Sequence, residues 1–347
     1  MQRVALCLEQ TLGHRAHSKN LEMATRNSTA PIDIYNIEYP ERRRLPLPWA
    51  VRSSVSAYRM LRSSRRDYGV VFYHTQTVSL LAPWRKGRLP YVVSVDATPI
   101  QIDEMGKWYK HGRTHQLIES LKKRWYERVF RSSSALVAWS QWAADSLVSD
   151  YGADRSRILI AHPGAASPFF EIPRTEYRRR PTILFVGGDW ERKGGPALLK
   201  AFAQVADRAD LLIVSDAKVT LPSSARQERG VEPGSDRLLA AFAQSDIFCL
   251  PTHGDCTSLA IGEALAAGLP VVSTRVGSNA ETITDGETGL LIDAGDDIGL
   301  AAALKRLVDG EDERARMSAA ARAVARDRFD GVRNATRLFK LLEHVSS

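Results

Sequence analysis

Cysteine is scarce in this chain of 347 residues: Cys7, Cys249 and Cys256 are odd in number and never form a C-x-x-C pair. That excludes a disulfide framework and a cysteine-built zinc site, and it fits a reducing cytoplasm. No run approaches the ~18–20 apolar residues that span a bilayer. The N-terminal stretch Arg3-Val4-Ala5-Leu6-Cys7-Leu8 is too short for a secretory signal and reads as a first strand. No Asp-x-Asp pair occurs anywhere, so the usual carboxylate clamp for a divalent cation is absent from the sequence. Zinc-finger spacing, an RNP aromatic pattern and a basic-leucine heptad are also lacking, so a nucleic-acid partner is not expected.

What is present describes a globular protein. Apolar residues make up 44% and charged residues 25%, which excludes disorder, collagen and coiled coil. The length exceeds one ordinary core and predicts two domains. Charge divides unevenly between them. Residues 1–170 carry 25 Lys+Arg against 14 Asp+Glu, a net of +11, whereas residues 171–347 carry 23 against 26, a net of −3. Either the basic half meets an anionic partner, such as an acidic membrane surface or a phosphate-bearing acceptor, or its arginines simply solubilise it.

Short apolar runs alternate with longer helical patterns. In the first half the strands read at 3–8, 32–36, 70–73, 91–95 and 135–139, with helices near 14–26, 50–66, 113–131 and 141–150. In the second half they read at 182–187, 211–214, 247–250, 270–274 and 289–292, with helices near 194–206, 235–244, 258–267, 277–283, 297–308 and 312–328. Nearly all-apolar strands alternating with helices predict parallel sheets covered on both faces, hence an α/β protein of two doubly wound domains. The expected division is 1–170 and 171–330, joined by the Pro- and charge-rich stretch from Pro163 to Pro181 that includes Arg178, Arg179 and Arg180. For a last helix, about 331–345 within a tail 331–347, packing on either domain stays open, including a crossing back to the N-terminal domain.

Ligands of open parallel sheets sit beyond the carboxyl ends of the strands. After strand 182–187 comes Gly187-Gly188-Asp189-Trp190-Glu191-Arg192-Lys193-Gly194-Gly195. It is neither a Walker loop nor G-x-G-x-x-G. Glycines that let the backbone approach closely, two cations and a helix start suit a diphosphate. A tight turn with two solvated cations explains it as well. After strand 247–250, Asp255 lies in a loop and Glu263 eight positions later inside an apolar helix. Thr257 or Ser258 is placed to cap that helix, leaving amides near Thr257, Ser258 and Leu259 for an anion. Glu263 needs donors if buried, and a ribose diol supplies two; a neighbouring backbone group or cation is the alternative.

The ordered set Phe185-Val186-Gly187, Arg192-Lys193-Gly194, Asp246 to Pro251, Glu263 to Val272, Val276-Gly277 and Asp285 to Leu291 resembles the C-terminal domain of the family 4 glycosyltransferases. The first half resembles the family more loosely, through Tyr151-Gly152, His162-Pro163-Gly164 and its strand rhythm. The resemblance implies the GT-B fold, two Rossmann-like domains facing a central cleft, with the acceptor held by the first and a nucleotide sugar by the second. It implies sugar transfer from a nucleotide-diphosphate donor to an acceptor hydroxyl on a glycan or lipid-linked glycan, with retained configuration, as in cell-envelope polysaccharide or glycolipid synthesis. Glu263 matches the family glutamate that binds ribose. Asp255 stands where the family has a second glutamate contacting the donor sugar, one methylene shorter. Lys193 matches the lysine that neutralises the donor phosphates. Gly188 occupies the place of a family arginine, and Arg192 is the candidate to replace that charge.

No cofactor beyond the sugar nucleotide is expected. With no Asp-x-Asp, metal-independent catalysis by Lys193, Arg192 and helix-terminal amides is expected. In the first domain Gly13 and His14 follow the first strand, His74 the third and Asp96 the fourth, and all are expected at the cleft. Asp96 either takes the acceptor proton, binds a sugar hydroxyl, or serves only as a turn residue. The 113–131 helix carries Leu117, Leu121 and Trp125 at helical spacing beside Lys122, Lys123, Arg124, Arg128 and Arg131. It is either a core helix with a cationic outer face or a docking element for an anionic membrane at the inner face of the plasma membrane. The competing reading of the whole chain is a catalytically silent nucleotide-binding module that recruits an anionic partner.

Overall fold

The structure, a computed structural model, describes residues 2–11, 13–38, 48–84, 89–109, 116–174 and 180–347. Leu12, residues 113–115 at the start of the expected basic helix, and Arg178 and Arg179 of the expected junction lie outside the described residues. The chain separates into two compact units, residues 1–163 with 332–347, and residues 164–331. The division therefore falls at 163/164 and not at 170.

The first unit is a six-stranded sheet, β1 (Val4–Gln10), β2 (Ile32–Glu38), β3 (Val70–Tyr73), β4 (Tyr91–Val95), β5 (Ala135–Ala138) and β6 (Ile158–Ile160), in the order β2-β1-β3-β4-β5-β6. Every pairing is parallel. Its helices are α1 (His14–Ala24), α2 (Trp49–Ser63), α3 (Pro99–Glu104), α4 (Gln116–Ser132) and α5 (Gln141–Ser149). Side chains alternate across a strand. Accordingly Val4, Leu6 and Leu8 of β1 enter one hydrophobic cluster, and Ala5 and Cys7 enter the cluster on the opposite face. Both faces are thus covered, which is why the strands read as continuous apolar runs.

The second unit opens with the short helix α6 (Ser167–Glu171). Its strands are β7 (Thr182–Val186), β8 (Asp210–Val214), β9 (Ala225–Glu228), β10 (Ile247–Leu250), β11 (Val271–Thr274) and β12 (Gly289–Ile292), ordered β12-β11-β10-β7-β8-β9 and all parallel. The helices α7 (Gly195–Phe202), α8 (Asp236–Ala243), α9 (Leu259–Ala266), α10 (Asn279–Thr282), α11 (Asp297–Asp309) and α12 (Glu311–Arg328) flank it. The last helix, α13 (Gly331–Ser346), returns to the first unit. Ala335, Leu338, Phe339 and Leu342 recur at i, i+3, i+4 and i+7 and bury their stripe with Val4, Leu6 and Leu8.

The doubly wound α/β architecture is the one the strand–helix alternation predicts, with four elements added. β6 is only three residues long, and β9, Ala-Arg-Gln-Glu, is a polar edge strand with no apolar signal. α3 begins at a proline behind Thr98, whose hydroxyl accepts the Gln101 amide while Gln101 reaches back in a capping box. α6 spans five residues. The three cysteines are buried and none is joined in a disulfide.

Candidate active site

In each sheet the strand order reverses once, and loops leaving the two strands at that point diverge to form the ligand position of such folds. In the second unit the reversal lies between β7 and β10. Lys193 follows β7 and Asp255 follows β10, and the Lys193 ammonium is hydrogen-bonded to the Asp255 carboxylate. Both side chains are largely buried.

The two loops are tied together by backbone. The Arg192 carbonyl accepts from the His253 amide at 2.8 Å and from the Thr252 hydroxyl at 3.1 Å. Gly194 starts α7 with φ at +80°, and a Cβ there would sit 1.9 Å from the Pro251 carbonyl oxygen. Only glycine takes that conformation at that separation. On the far side, Gly277 at φ +55° lies so close to the Asp255 carbonyl that a Cβ would stand 2.0 Å away. The Ser278 amide donates to the Cys256 carbonyl at 3.0 Å, and its hydroxyl donates to that of Thr257 at 3.1 Å.

Arg192 departs from expectation. Its guanidinium is buried, donates to the Gly254 carbonyl at 2.6 Å, and pairs with Asp189 at 3.3 Å. It braces the 252–255 loop instead of presenting a second cation beside Lys193. Gly187 donates its amide to the Val214 carbonyl at 3.0 Å and lies against Phe185 and Lys193, whereas Gly188 has open space where a Cβ would be.

The start of α9 carries open hydrogen-bonding capacity. Ser258 occupies the N-cap position, but its hydroxyl does not cap the helix and is buried without a partner. Thr257 does not cap it either. The Leu259 and Ala260 amides, in the first turn where no preceding carbonyl serves them, donate to nothing among the described residues. Leu259, Ala260 and Glu263 form the part-exposed face of this otherwise buried helix. Glu263 lies about 6 Å along the axis from Leu259 on the same side. Its carboxylate has no hydrogen-bond partner among the described residues, and desolvation pushes its pKa up to about 7. Among the described residues the site thus brings together the Lys193 cation, a helix start with open amides and a carboxylate lacking donors.

The first unit reverses between β1 and β3, and β1, β3 and β4 deliver His14, His74 and Asp96 to one cluster. His14 Nε2 lies 3.2 Å from Asp96 Oδ2, and Nδ1 lies 3.8 Å from Glu9. Burial depresses the His14 pKa, but the Asp96 hydrogen bond and charge, with the Glu9 charge, outweigh it and raise it to about 9. Burial raises the Asp96 carboxyl, but the His14 hydrogen bond and charge, with backbone amides, bring it below its ordinary value. A carboxylate already paired with His14 and lowered below its ordinary value is a weaker proton acceptor, which disfavours the general-base expectation. Asp96 Oδ1, however, is buried and unbonded.

His74 is fully buried, with Nε2 at 2.8 Å from His17 Nδ1 and Nδ1 at 3.3 Å from the Ser18 hydroxyl. It therefore supports the cluster and is not exposed to an acceptor. Gly13 starts α1 in ordinary right-handed geometry with open space around its Cα, so no steric demand singles it out. Sequence reasoning missed Glu9, His17 and Trp139. Desolvation, then the His14 charge, lowers the His17 pKa to about 3. Desolvation and the neighbouring histidines hold His74 well below its usual value. Trp139 packs edge-on to His14 and His17 and donates to the Ser94 hydroxyl at 2.6 Å. Glu9, 3% exposed, accepts from Thr11 at 2.7 Å, Trp49 at 3.0 Å and Thr75. The three-residue spacing of His14 and His17 on one helix face was the readable signal.

Two family models match the chain. One, described as Glycosyltransferase Family 4, covers residues 4–166, and the other, described as Glycosyl transferases group 1, covers residues 180–310. The chain belongs to the family 4 glycosyltransferases. This family 4 chain is similar to a D-inositol 3-phosphate glycosyltransferase of Xylanimonas cellulosilytica, 31% identical over 228 residues covering 58% of this chain and 54% of the relative. It spans about half the length of the curated relatives it matches. In structure it is similar to sucrose-phosphate synthase from Thermosynechococcus elongatus, with TM-score 0.77, 13% identity and 99% of each chain covered. It is also similar to Anabaena HepE in complex with UDP and glucose, with TM-score 0.74, 14% identity, 99% of this chain and 100% of that one. These likenesses show the fold of the family 4 chain, which is GT-B.

Proposed function

We propose that this chain transfers a sugar from a nucleoside-diphosphate donor to an acceptor hydroxyl of a glycan or glycolipid, with retention of configuration and without a metal ion. The observation that carries the reading is the second unit's set of unmet demands: the unbonded Glu263 carboxylate one turn above the free Leu259 and Ala260 amides and the orphaned Ser258 hydroxyl. A diphosphate satisfies the amides and the hydroxyl, and a ribose diol donates to Glu263. The relative's name speaks of glycosyl transfer, and the Anabaena protein holds UDP; both support the reading.

Breaking the bond between the anomeric carbon and the phosphate oxygen leaves a nucleoside diphosphate and an oxocarbenium-like sugar. Lys193 neutralises the departing oxygens by exchanging its partner Asp255 for the diphosphate, and the α9 amides share that load. Asp255, released, accepts from a donor-sugar hydroxyl. Preorganised charge of this kind contributes about 3–4 kcal/mol per contact, or ~100–1000-fold in rate. In the first unit, His14 fixes Asp96 through Oδ2 and leaves Oδ1 to accept a sugar hydroxyl.

The test is nucleotide release from a panel of UDP-, GDP- and ADP-sugars with an acceptor, in EDTA. Turnover in chelator, with the product anomer matching the donor by NMR, is the expected result. Activity abolished by EDTA and restored by Mn²⁺ or Mg²⁺ would overturn metal independence, and donor binding without turnover would favour a silent module.

A further inference from the structure

Helix α4 contradicts the ordinary pattern of a core helix with a polar outer face. Its buried residues are confined to the C-terminal part, at Tyr126, Val129 and Phe130. Ahead of them, Leu117, Ile118, Leu121 and Trp125 are exposed by 69%, 55%, 64% and 44%. Leu117, Leu121 and Trp125 follow i, i+4, i+8, so they form one stripe along the helix. Trp84, 42% exposed, extends the stripe by packing against Trp125, with the rings tilted by 38° and their centroids 4.5 Å apart. Isolated exposed apolar residues are normal, but five gathered on one patch mark an interaction surface.

Cations border the stripe. At 100° per residue, Arg124 and Arg131 fall along one flank of the leucines, and Arg128 falls between Leu117 and Leu121 in angle, about two turns beyond Leu121. Arg128 lies over the Trp84 ring at 5.1 Å, and neither Arg124 nor Arg131 pairs with a carboxylate among the described residues. The 1–170 region around the helix carries a net charge of +11. Leucine and tryptophan that need an apolar medium, with arginines at their edge that need anions, match the headgroup–acyl boundary of an acidic bilayer. A nucleic acid would match the arginines but not the leucine stripe.

We propose that the outer face of α4, together with Trp84, docks on a bilayer containing anionic lipid. This stands apart from the donor reading, because none of these residues belongs to the second unit.

The test is co-sedimentation of the full chain with phosphatidylcholine vesicles, with and without phosphatidylglycerol, while circular dichroism and thermal melting check separately that each variant is folded. The chain should bind the acidic vesicles and bind phosphatidylcholine alone far more weakly. Arg124→Gln with Arg131→Gln should weaken binding about 25-fold, about fivefold per charge. Leu121→Glu, at an exposed position that leaves the core intact, should weaken it at least ~10-fold. Equal binding to both vesicle types, no binding to either, or wild-type binding by Leu121→Glu would overturn the proposal. Self-association abolished by Leu121→Glu would also overturn it, by assigning the face to a second copy of the chain.

Discussion

Glu263→Gln tests the donor site through a property only the carboxylate supplies. Without ligand, Glu263 is desolvated and unbonded, with its pKa raised to about 7. If a ribose diol donates to the ionised form, binding must first remove a proton below that pH. Linkage then gives an affinity for a sugar nucleotide that is full at pH 8, about 10-fold weaker at pH 6 and ~100-fold weaker at pH 5. The diphosphate of a sugar nucleotide is esterified at both ends and does not titrate over this range, so the slope belongs to the protein.

Glu263→Gln removes the charge-assisted part of the contact, about 1.5–3 kcal/mol or ~10–100-fold at pH 8. It also flattens the profile, so the two proteins converge near pH 5. Stability moves in the opposite direction. A carboxyl whose folded pKa lies above its unfolded value destabilises the fold above pH 7, and that cost disappears below about pH 4.5. The glutamine variant without ligand should therefore be more stable at pH 8 by up to roughly 3 kcal/mol. Isothermal titration from pH 5 to 8 and thermal denaturation read both quantities. A flat wild-type profile, with Glu263→Gln binding as tightly as wild type, would refute the reasoning.

Three further outcomes follow. Asp96→Asn removes the interaction that holds the His14 pKa at about 9, so NMR titration should find it at or below 6.5, where burial leaves it. In the wild type the His14 charge contributes stability that is fully present below about pH 6.5 and is lost as the pH rises through about 9; Asp96→Asn should abolish that loss in thermal denaturation. Gly194→Ala meets both a positive φ and a carbonyl oxygen 1.9 Å from the new Cβ, so denaturant unfolding should show roughly 3–5 kcal/mol lost.

Much of the fold was legible because buried parallel strands are apolar on both faces. Runs such as Val70–Tyr73 and Ile247–Leu250 stand out from any surroundings. β9 was not legible, since an edge strand of Ala-Arg-Gln-Glu has no such need. The placement of Lys193, Asp255 and Glu263 beyond β7 and β10 was readable, because spacing on a strand–loop–helix unit dictates where residues emerge. The inward turn of Arg192 was not readable, because it depends on a carbonyl at Gly254 far away in sequence. Nor was the burial of His74, which needs His17 and Ser18 from another helix to satisfy its ring. The exposed stripe on α4 shows the same limit: periodicity located the face of the helix, and only packing showed that it is left exposed.

The central claim is that Lys193 neutralises the charge on the departing nucleoside diphosphate. The most direct measurement is single-turnover sugar transfer by wild type and Lys193→Ala at saturating donor and acceptor. The account predicts a rate lowered ~100–1000-fold with the donor still bound. An unchanged rate in Lys193→Ala would contradict it.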